Sequence, residues 1–346
     1  MKALLLSQYR QLEIADLPVP APASDEVLVR VAACGICGSD VHGYDGSSGR
    51  RIPPLVMGHE AAGIVAEAGA NVNGFKKGDR VTFDSTVYCG ECANCKRGEV
   101  NLCDRRQVLG VSCGDYRRNG AFAEFVVVPA RIIHRLPDNL SFSEAALLEA
   151  VAVALHAVSL APIQSESKAL VVGAGTIGLL VQQALAVAGC SPVFVSDVDE
   201  TRLKLSASLG AATILGSGSD LVNEILRLTD GRGVDIAIEA VGINQTVATA
   251  INATRKGGCV VLVGNVAPEV TLPLQTVVTR QIRLQGSCAS AGEYPRAIEL
   301  MSSGKINVKP LITAVAPLTD GPQWFERLHA REPNLMKVVL QPGSDK

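Results

Sequence analysis

A chain of 346 residues has room for about two domains of roughly 100–200 residues each. Its 32 basic and 34 acidic side chains are spread along the sequence and leave a net charge of −2, which gives no electrostatic footprint for nucleic acid or an anionic membrane and points to small, near-neutral ligands. The longest apolar stretch, 145–161, contains Glu149 and His156 and falls short of the ~20 residues that span a bilayer. The apolar start at 1–6 gives way at once to Ser7-Gln8-Tyr9-Arg10, too short for an export signal, so the expected setting is the cytoplasm. In a reducing cytosol, ten cysteines point to metal ligation or burial before disulfides.

The first ~135 residues alternate short β-branched runs, such as 27–31 and 125–128, with glycine-rich turns, the texture of an all-β or barrel-like domain. Two segments there carry chemistry. Cys34-Gly35-Ile36-Cys37-Gly38-Ser39-Asp40-Val41-His42 and Gly58-His59-Glu60 lack the spacing of a closed zinc finger, but a cysteine and a histidine from separate loops can hold an open metal site. Such a site takes three protein ligands and keeps one position for water or substrate, and it lowers the pKa of a bound water from about 15.7 toward ~7. Cys34 and Cys37 also form a C-x-x-C pair; no thioredoxin-like βαβ context surrounds it, and Cys34 is read as a buried strand residue.

Next come Cys89, Cys92, Cys95 and Cys103 in the spacing C-x2-C-x2-C-x7-C, with loop-forming residues between them. Four thiolates so close suit tetrahedral zinc, which binds sulfur at about 2.3 Å in a closed site with no room for substrate. A ferredoxin-type cluster shares the opening spacing but places its fourth cysteine closer and follows it with proline. This lobe is expected to be structural. Cys113, Cys190, Cys259 and Cys288 have no partner spacing and are expected to be packed thiols.

From about residue 145 the texture changes to alanine-rich, helix-favouring segments that alternate with apolar runs at 169–172, 193–196, 234–239 and 259–263, the βαβ rhythm of a parallel sheet. Between the first run and a helical segment lies Gly173-Ala174-Gly175-Thr176-Ile177-Gly178, a G-x-G-x-x-G in the right context. Gly173 makes the tight turn, Gly175 lets the backbone approach a pyrophosphate, Gly178 permits close helix–strand packing, and the helix N-terminus at Thr176 and Ile177 supplies a positive dipole. Asp197 ends the next run, where a carboxylate accepts hydrogen bonds from the adenosine ribose and repels a 2′-phosphate, favouring NAD over NADP. The competing role for Asp197 is to cap a helix beginning near residue 200. After Ser287 the pattern is mixed, with a helix expected at 294–302 and a last strand at 337–340, and this tail is expected to return to the first domain. The division expected is 1–155 with 290–346, and 156–289.

Gly58-His59-Glu60-Ala61-Ala62-Gly63, followed by Gly69, Val72 and Gly78-Asp79-Arg80-Val81, resembles the signature of the zinc-containing medium-chain alcohol dehydrogenases, and the similarity runs nearly end to end. Within that superfamily, Cys37-Gly38-Ser39-Asp40-Val41-His42 and Glu149-Ala150-Val151-Ala152-Val153-Ala154-Leu155-His156-Ala157 are most similar to the sorbitol (polyol) branch, with Ala150 where that branch has proline. The resemblance implies an α/β fold, a GroES-like β-rich catalytic domain joined to a Rossmann doubly wound domain. It also implies NAD and two zinc ions per subunit, one catalytic and one structural. Cys37 and His59 would be catalytic-zinc ligands; Glu60 and Glu149 stand equally as the third. Ser39 and His42 match positions of a proton relay, with a helix cap as the alternative for Ser39, and Tyr44 lies near the expected substrate. Val241, Val263, Gly264 and Ser287 would line the nicotinamide half of the crevice. Arg202 matches an arginine near the adenine ribose, and a solvent-facing helical arginine is an equal reading. His156 is read as a packed helical histidine. Relatives are homodimers or homotetramers.

The activity implied is oxidation of a secondary hydroxyl of a polyol, hydride passing to nicotinamide and the proton leaving through Ser39 and His42. Arg50, Arg51, Arg117, Arg118 and Lys309 could recognise a phosphate on the substrate, and residues 116–125 look similar to galactitol phosphate dehydrogenases. A threonine or simple-alcohol dehydrogenase is the alternative on the same scaffold. A non-catalytic zinc- and NAD-binding partner protein is the alternative of another class.

Overall fold

The computed structural model describes residues 1–343, and the chain divides into two compact units. The first holds Met1–Glu149, Tyr294–Ser302 and the chain from Val308 onward; the second holds Ala150–Glu293 and Ser303–Asn307.

The first unit is built on a seven-stranded sheet whose central strand, Glu26–Gly35, is buried at most positions on both faces. That explains why its sequence reads as an apolar run rather than an alternation. Glu60–Ala68 and Lys337–Gln341 flank its final residues, with Gly35 opposite both Glu60 and Val339, and both neighbours run antiparallel to it. Phe125–Pro129 pairs antiparallel with the earlier part of the same strand, and Ile312–Pro317 closes the far edge, parallel to Lys337–Gln341. The tail thus returns to the first unit. Phe122 and Phe325, both fully buried, meet edge to face at 5.7 Å in the core of this unit; such a pair contributes about 1 kcal/mol beyond area burial.

A helix at Gly38–Tyr44 follows the central strand. It begins two residues before the start considered for a Ser39 cap, because Cys37 is the N-cap and its backbone N–H donates to the Asp40 carboxylate at 3.2 Å. Ser39 therefore lies inside the helix and is free of capping duty.

The second unit carries six parallel strands in the order Ala212–Leu215, Val193–Asp197, Ala169–Val172, Val234–Glu239, Thr254–Leu262 and Arg283–Gly286. This is the doubly wound dinucleotide-binding order, with the direction of winding reversing at Ala169–Val172, and ligands of such sheets bind beyond the carboxyl ends of the strands at that point. The run read at 259–263 proves longer at its start and stops at Leu262, because the polar and glycine residues at 254–258 hide the exposed half from an apolar scan. Among the described residues no helix is long and apolar enough to cross a membrane.

Candidate metal and cofactor sites

The strand register of the first unit decides which polar groups converge. Cys37 follows the end of the central strand and Glu60 opens its neighbour, while His59 precedes Glu60 on a turn at Gly58. Gly58 has φ +95°, and a Cβ there would lie 2.8 Å from the Phe122 backbone nitrogen, so only glycine fits before His59. One ligand-type atom from each of Cys37, His59 and Glu60 lies within 4.8 Å of the other two.

His59 is 5% exposed, and its Nδ1 faces Asp40 Oδ1 at 3.3 Å. Burial opposes a charged imidazole there, but Asp40 and Cys37 outweigh it and hold the His59 pKa well above its ordinary value. Asp40 is fully buried; desolvation pushes its pKa up, and His59 and Arg51 together bring it below the usual carboxylate value. A carboxylate behind a histidine fixes the ring and its tautomer when the far nitrogen binds a metal.

Glu60 is also buried, and Lys337 reaches it with Nζ 2.9 and 2.7 Å from its two oxygens and 3.1 Å from the Ile36 carbonyl. Glu149 stands beside the set, accepting a 3.5 Å hydrogen bond from Ser85 Oγ. Desolvation raises its pKa to about 7, with His59 opposing and Glu60 and Asp84 adding to the rise. Tyr294 is buried nearby, and desolvation together with Asp84, Glu149 and Glu60 holds its phenol well above its ordinary pKa.

The expected relay residues each have another partner. Ser39 Oγ accepts from Arg51 at 3.1 Å, and His42 Nδ1 lies 3.2 Å from Ser47 Oγ. Tyr44 donates its hydroxyl to the Arg10 carbonyl at 3.0 Å and packs on Phe325 and His329, so its polar group bonds the backbone rather than the cluster.

In the cysteine lobe, one sulfur from each of Cys89, Cys92, Cys95 and Cys103 lies within 4.8 Å of the others. Cys89 Sγ and Cys95 Sγ are 3.9 Å apart, close to the roughly 3.8 Å that a tetrahedron with ~2.3 Å metal–sulfur bonds requires. Backbone N–H groups of Cys89, Cys92, Cys95 and Arg105 donate to three of these sulfurs at 3.3–3.5 Å. Such bonds from the Glu91 and Cys92 backbones lower the Cys89 pKa to about 6, while desolvation and the neighbouring thiols push Cys95 to about 12. A thiophilic cation would bind these sulfurs as thiolates and take the place of the protons they share.

The second unit gathers its expected residues along the carboxyl edge of the parallel sheet. Gly173 follows Ala169–Val172, and the helix Thr176–Val187 starts directly beyond Gly175. A Cβ on Gly178 would overlap the Gly173 carbonyl, whereas one on Gly175 would meet open space, which is the room a pyrophosphate needs above the first-turn amides. Asp197 accepts from Ala174 N–H at 2.7 Å and from Asp199 N–H at 2.9 Å. The cap of the helix Glu200–Ser208 is Asp199, not Asp197. Arg202 is 44% exposed along its side chain and pairs with Asp199 at 3.6 Å.

Glu239, fully buried, accepts from the N–H groups of Val241 and Gly242 at 2.9 and 2.8 Å, and its carbonyl accepts from Val263 and Gly264. Ser287 N–H bonds the Leu262 carbonyl at 2.9 Å. His156 is packed on its helix, and its Nδ1 lies 2.7 Å from Glu293 Oε1.

Residues 23–138 match the alcohol dehydrogenase GroES-like domain family, and residues 176–303 match the zinc-binding dehydrogenase family. Sorbitol dehydrogenase of Bacillus subtilis (strain 168) is 35% identical to the chain, covering 99% of it and 98% of the relative. The chain belongs to the zinc-containing alcohol dehydrogenases. D-Arabitol-phosphate dehydrogenase of Enterococcus avium is 36% identical over 97% of this dehydrogenase and 96% of its own length. A Sinorhizobium meliloti 1021 protein assigned as a zinc-binding dehydrogenase and solved with NADP bound superposes with a TM-score of 0.90 at 32% identity, covering 99% of both chains. The enzyme is thus an oxidoreductase of the polyol branch that works with zinc, a nicotinamide cofactor and a small-molecule substrate.

Asp40, Lys337 and Glu239 are functional neighbours that the sequence did not mark by role. Asp40 had a usable signal, since it sits in the same motif as Cys37 at the spacing of a capping box. Lys337 had none, because 277 residues separate it from Glu60.

Proposed function

We propose that this dehydrogenase oxidises a secondary hydroxyl of a free polyol to the ketose with NAD, acting in the cytoplasm as a homodimer or homotetramer. The observation that carries the reading is the convergence of Cys37, His59 and Glu60 within 4.8 Å, with the proton-holding carboxylate Glu149 beside them. In this reading residues 1–155 with 290–346 carry two zinc sites, and 156–289 carry NAD.

Cys37, His59 and Glu60 are the donors for the catalytic zinc, and Cys89, Cys92, Cys95 and Cys103 hold the structural one. The catalytic zinc supplies Lewis acidity that makes a hydroxyl acidic near neutral pH. Glu149, with a pKa near 7, is suited to take and return that hydroxyl's proton at physiological pH. Ser39, fixed by Arg51, is the next hydroxyl on the same helix as His42 and serves as the first outward step for the proton. Gly173, Gly175, Thr176, Ile177 and Gly178 receive the pyrophosphate of NAD, and Val241, Val263, Gly264 and Ser287 its nicotinamide end.

NAD is favoured over NADP because the Asp197 carboxylate stands at the ribose position and would repel a 2′-phosphate. Arg202, the cation that could accommodate that phosphate, is already paired with Asp199. The same reasoning favours a free polyol over its phosphate. Arg51 pairs with Asp40, Arg118 with Glu26 and Lys309 with Glu144, which leaves few of the five expected cations uncommitted. The names of the relatives, for sorbitol and for arabitol phosphate, support the polyol class.

The test is NADH formation, read by absorbance, across free polyols, polyol phosphates, threonine and simple alcohols, each with and without a zinc chelator. Chelator-sensitive turnover of a free polyol with NAD is expected. Turnover of phosphorylated substrates alone would overturn the free-polyol assignment, and bound zinc and NAD without any turnover would make the protein a non-catalytic partner.

A further inference from the structure

Arg51 takes a positive charge into the interior of the first unit, where it is 6% exposed. Its Nη2 donates to Ser39 Oγ at 3.1 Å and lies 3.4 Å from Asp40 Oδ1, the same oxygen that faces His59 Nδ1. One nitrogen therefore touches both the carboxylate behind His59 and the hydroxyl two residues beyond Cys37. Arg51 Nε finds no acceptor among the described residues, so the buried cation depends on this one junction. Burying a guanidinium is strongly unfavourable unless a counter-charge offsets it, and removing one partner leaves the other uncompensated.

The helix Gly38–Tyr44 is shaped around that side chain. A Cβ at Gly43 would lie 2.5 Å from Arg51 Cγ and 2.9 Å from its Cβ and Cδ. Those atoms form the root of the arginine side chain rather than its movable end. A glycine in a helix interior is unfavourable by propensity, and here it seats the arginine stem.

We propose that Arg51, seated on Gly43, is a positioning residue for the metal centre, locking Asp40 against His59 and Ser39 beside Cys37. The guanidinium keeps the Asp40 oxygen facing His59 and occupies one lone pair of Ser39, which turns the serine O–H away from the arginine. The inference rests on the reading of Cys37 and His59 as zinc donors. A lysine preserves the charge, but its stem is one bond shorter and its compact ammonium is more strongly hydrated and costlier to bury, so it holds this junction less well than the guanidinium.

The experiment follows zinc transfer from the zinc-loaded enzyme to a chromophoric chelator, with thermal melts and steady-state kinetics on the same samples. Wild type, C37A, R51Q, R51K and G43A are compared. Wild type is expected to release zinc in two phases, one of them missing in C37A. R51Q is expected to speed the Cys37-dependent phase by about tenfold or more and to lower kcat by a similar factor, with the KM for NAD and the other phase unchanged. R51K should recover part of the loss, and G43A should reproduce R51Q with the arginine still present. A wild type without a Cys37-dependent phase overturns the zinc reading beneath the proposal. With that phase present, release from R51Q and G43A at the wild-type rate overturns the role of Arg51 itself. Acceleration of both phases together with a raised KM for NAD also overturns it, since that is general loosening. If R51Q does not fold, the same comparison is made on R51K and G43A.

Discussion

Asp40 Oδ1 lies 3.3 Å from Nδ1 of His59, and both side chains are buried. The carboxylate both stabilises charge on the ring and sets which nitrogen points toward Cys37. Asp40→Asn keeps the shape and removes the charge. It is expected to lower zinc affinity or kcat/KM by about 10–100-fold, as read by equilibrium dialysis against zinc and by initial rates. Wild-type zinc retention in this variant would refute the link.

Among the described residues Lys337 is the only cation bonded to Glu60, at side-chain exposures of 4% and 1%. Lys337→Met strands a buried carboxylate and should destabilise the metal-free protein by about 3–5 kcal/mol. Converting Glu60 to leucine in the same chain should restore much of that loss, because an apolar pair of similar size needs no counter-charge. Urea unfolding of the two variants decides it; a double variant no more stable than the single one would contradict the argument.

Glu149 carries the pH signature of the centre. Its carboxyl, raised by burial from 4.5 to about 7 in the folded state, holds a proton that the unfolded chain releases first. Its contribution to stability is therefore complete below pH about 4.5 and is lost as pH rises through about 7, a change on the order of 3 kcal/mol at ~1.4 kcal/mol per unit. Glu149→Gln stays neutral throughout and should remove this part of the decline. Urea midpoints of the metal-free proteins at a series of pH values between 5 and 8 supply the comparison, and parallel curves would mean that Glu149 does not titrate in this range.

Asp197 holds the Ala174 amide of the glycine-rich loop, and in the proposed reading it also faces the ribose. Asp197→Asn retains an acceptor for that amide while removing the negative charge. The ratio of kcat/KM for NADP to that for NAD is expected to rise about tenfold or more, by loss of repulsion toward a 2′-phosphate. Coenzyme kinetics at fixed polyol test this, and an unchanged ratio would show that the discrimination lies elsewhere.

Local patterns in the sequence disclosed whatever is encoded by neighbours along the chain. The motif from Gly173 to Gly178 runs from the end of a strand into the first turn of a helix as its spacing required, because turn, strand and helix signals there are contiguous. The four cysteines converge because their spacing leaves a short loop little freedom. His59 and Cys37 were recognisable as ligand types, but their meeting depends on Gly35 standing opposite Glu60, a register no local pattern records. The partners of Ser39 and Tyr44 were illegible for the same reason. Ser39 bonds Arg51, twelve residues on, and Tyr44 bonds the Arg10 carbonyl, thirty-four residues back, partners that tertiary packing supplies and the motif alone does not record.

The strand Lys337–Gln341 lies against Glu26–Gly35, so an early and a late part of the chain share one sheet. During synthesis the N-terminal part of a chain emerges first and domains tend to fold as they appear, at about 5–20 residues per second. Glu26–Gly35 must then wait on the ribosome for a neighbour about 300 residues later, while the parallel-stranded unit, whose strands all lie between them, is already complete. A nascent chain stalled before Lys337 would present Glu60 without its counter-ion and an open sheet edge beside Cys34, so this unit carries an exposed pairing edge for longer than the parallel-stranded one.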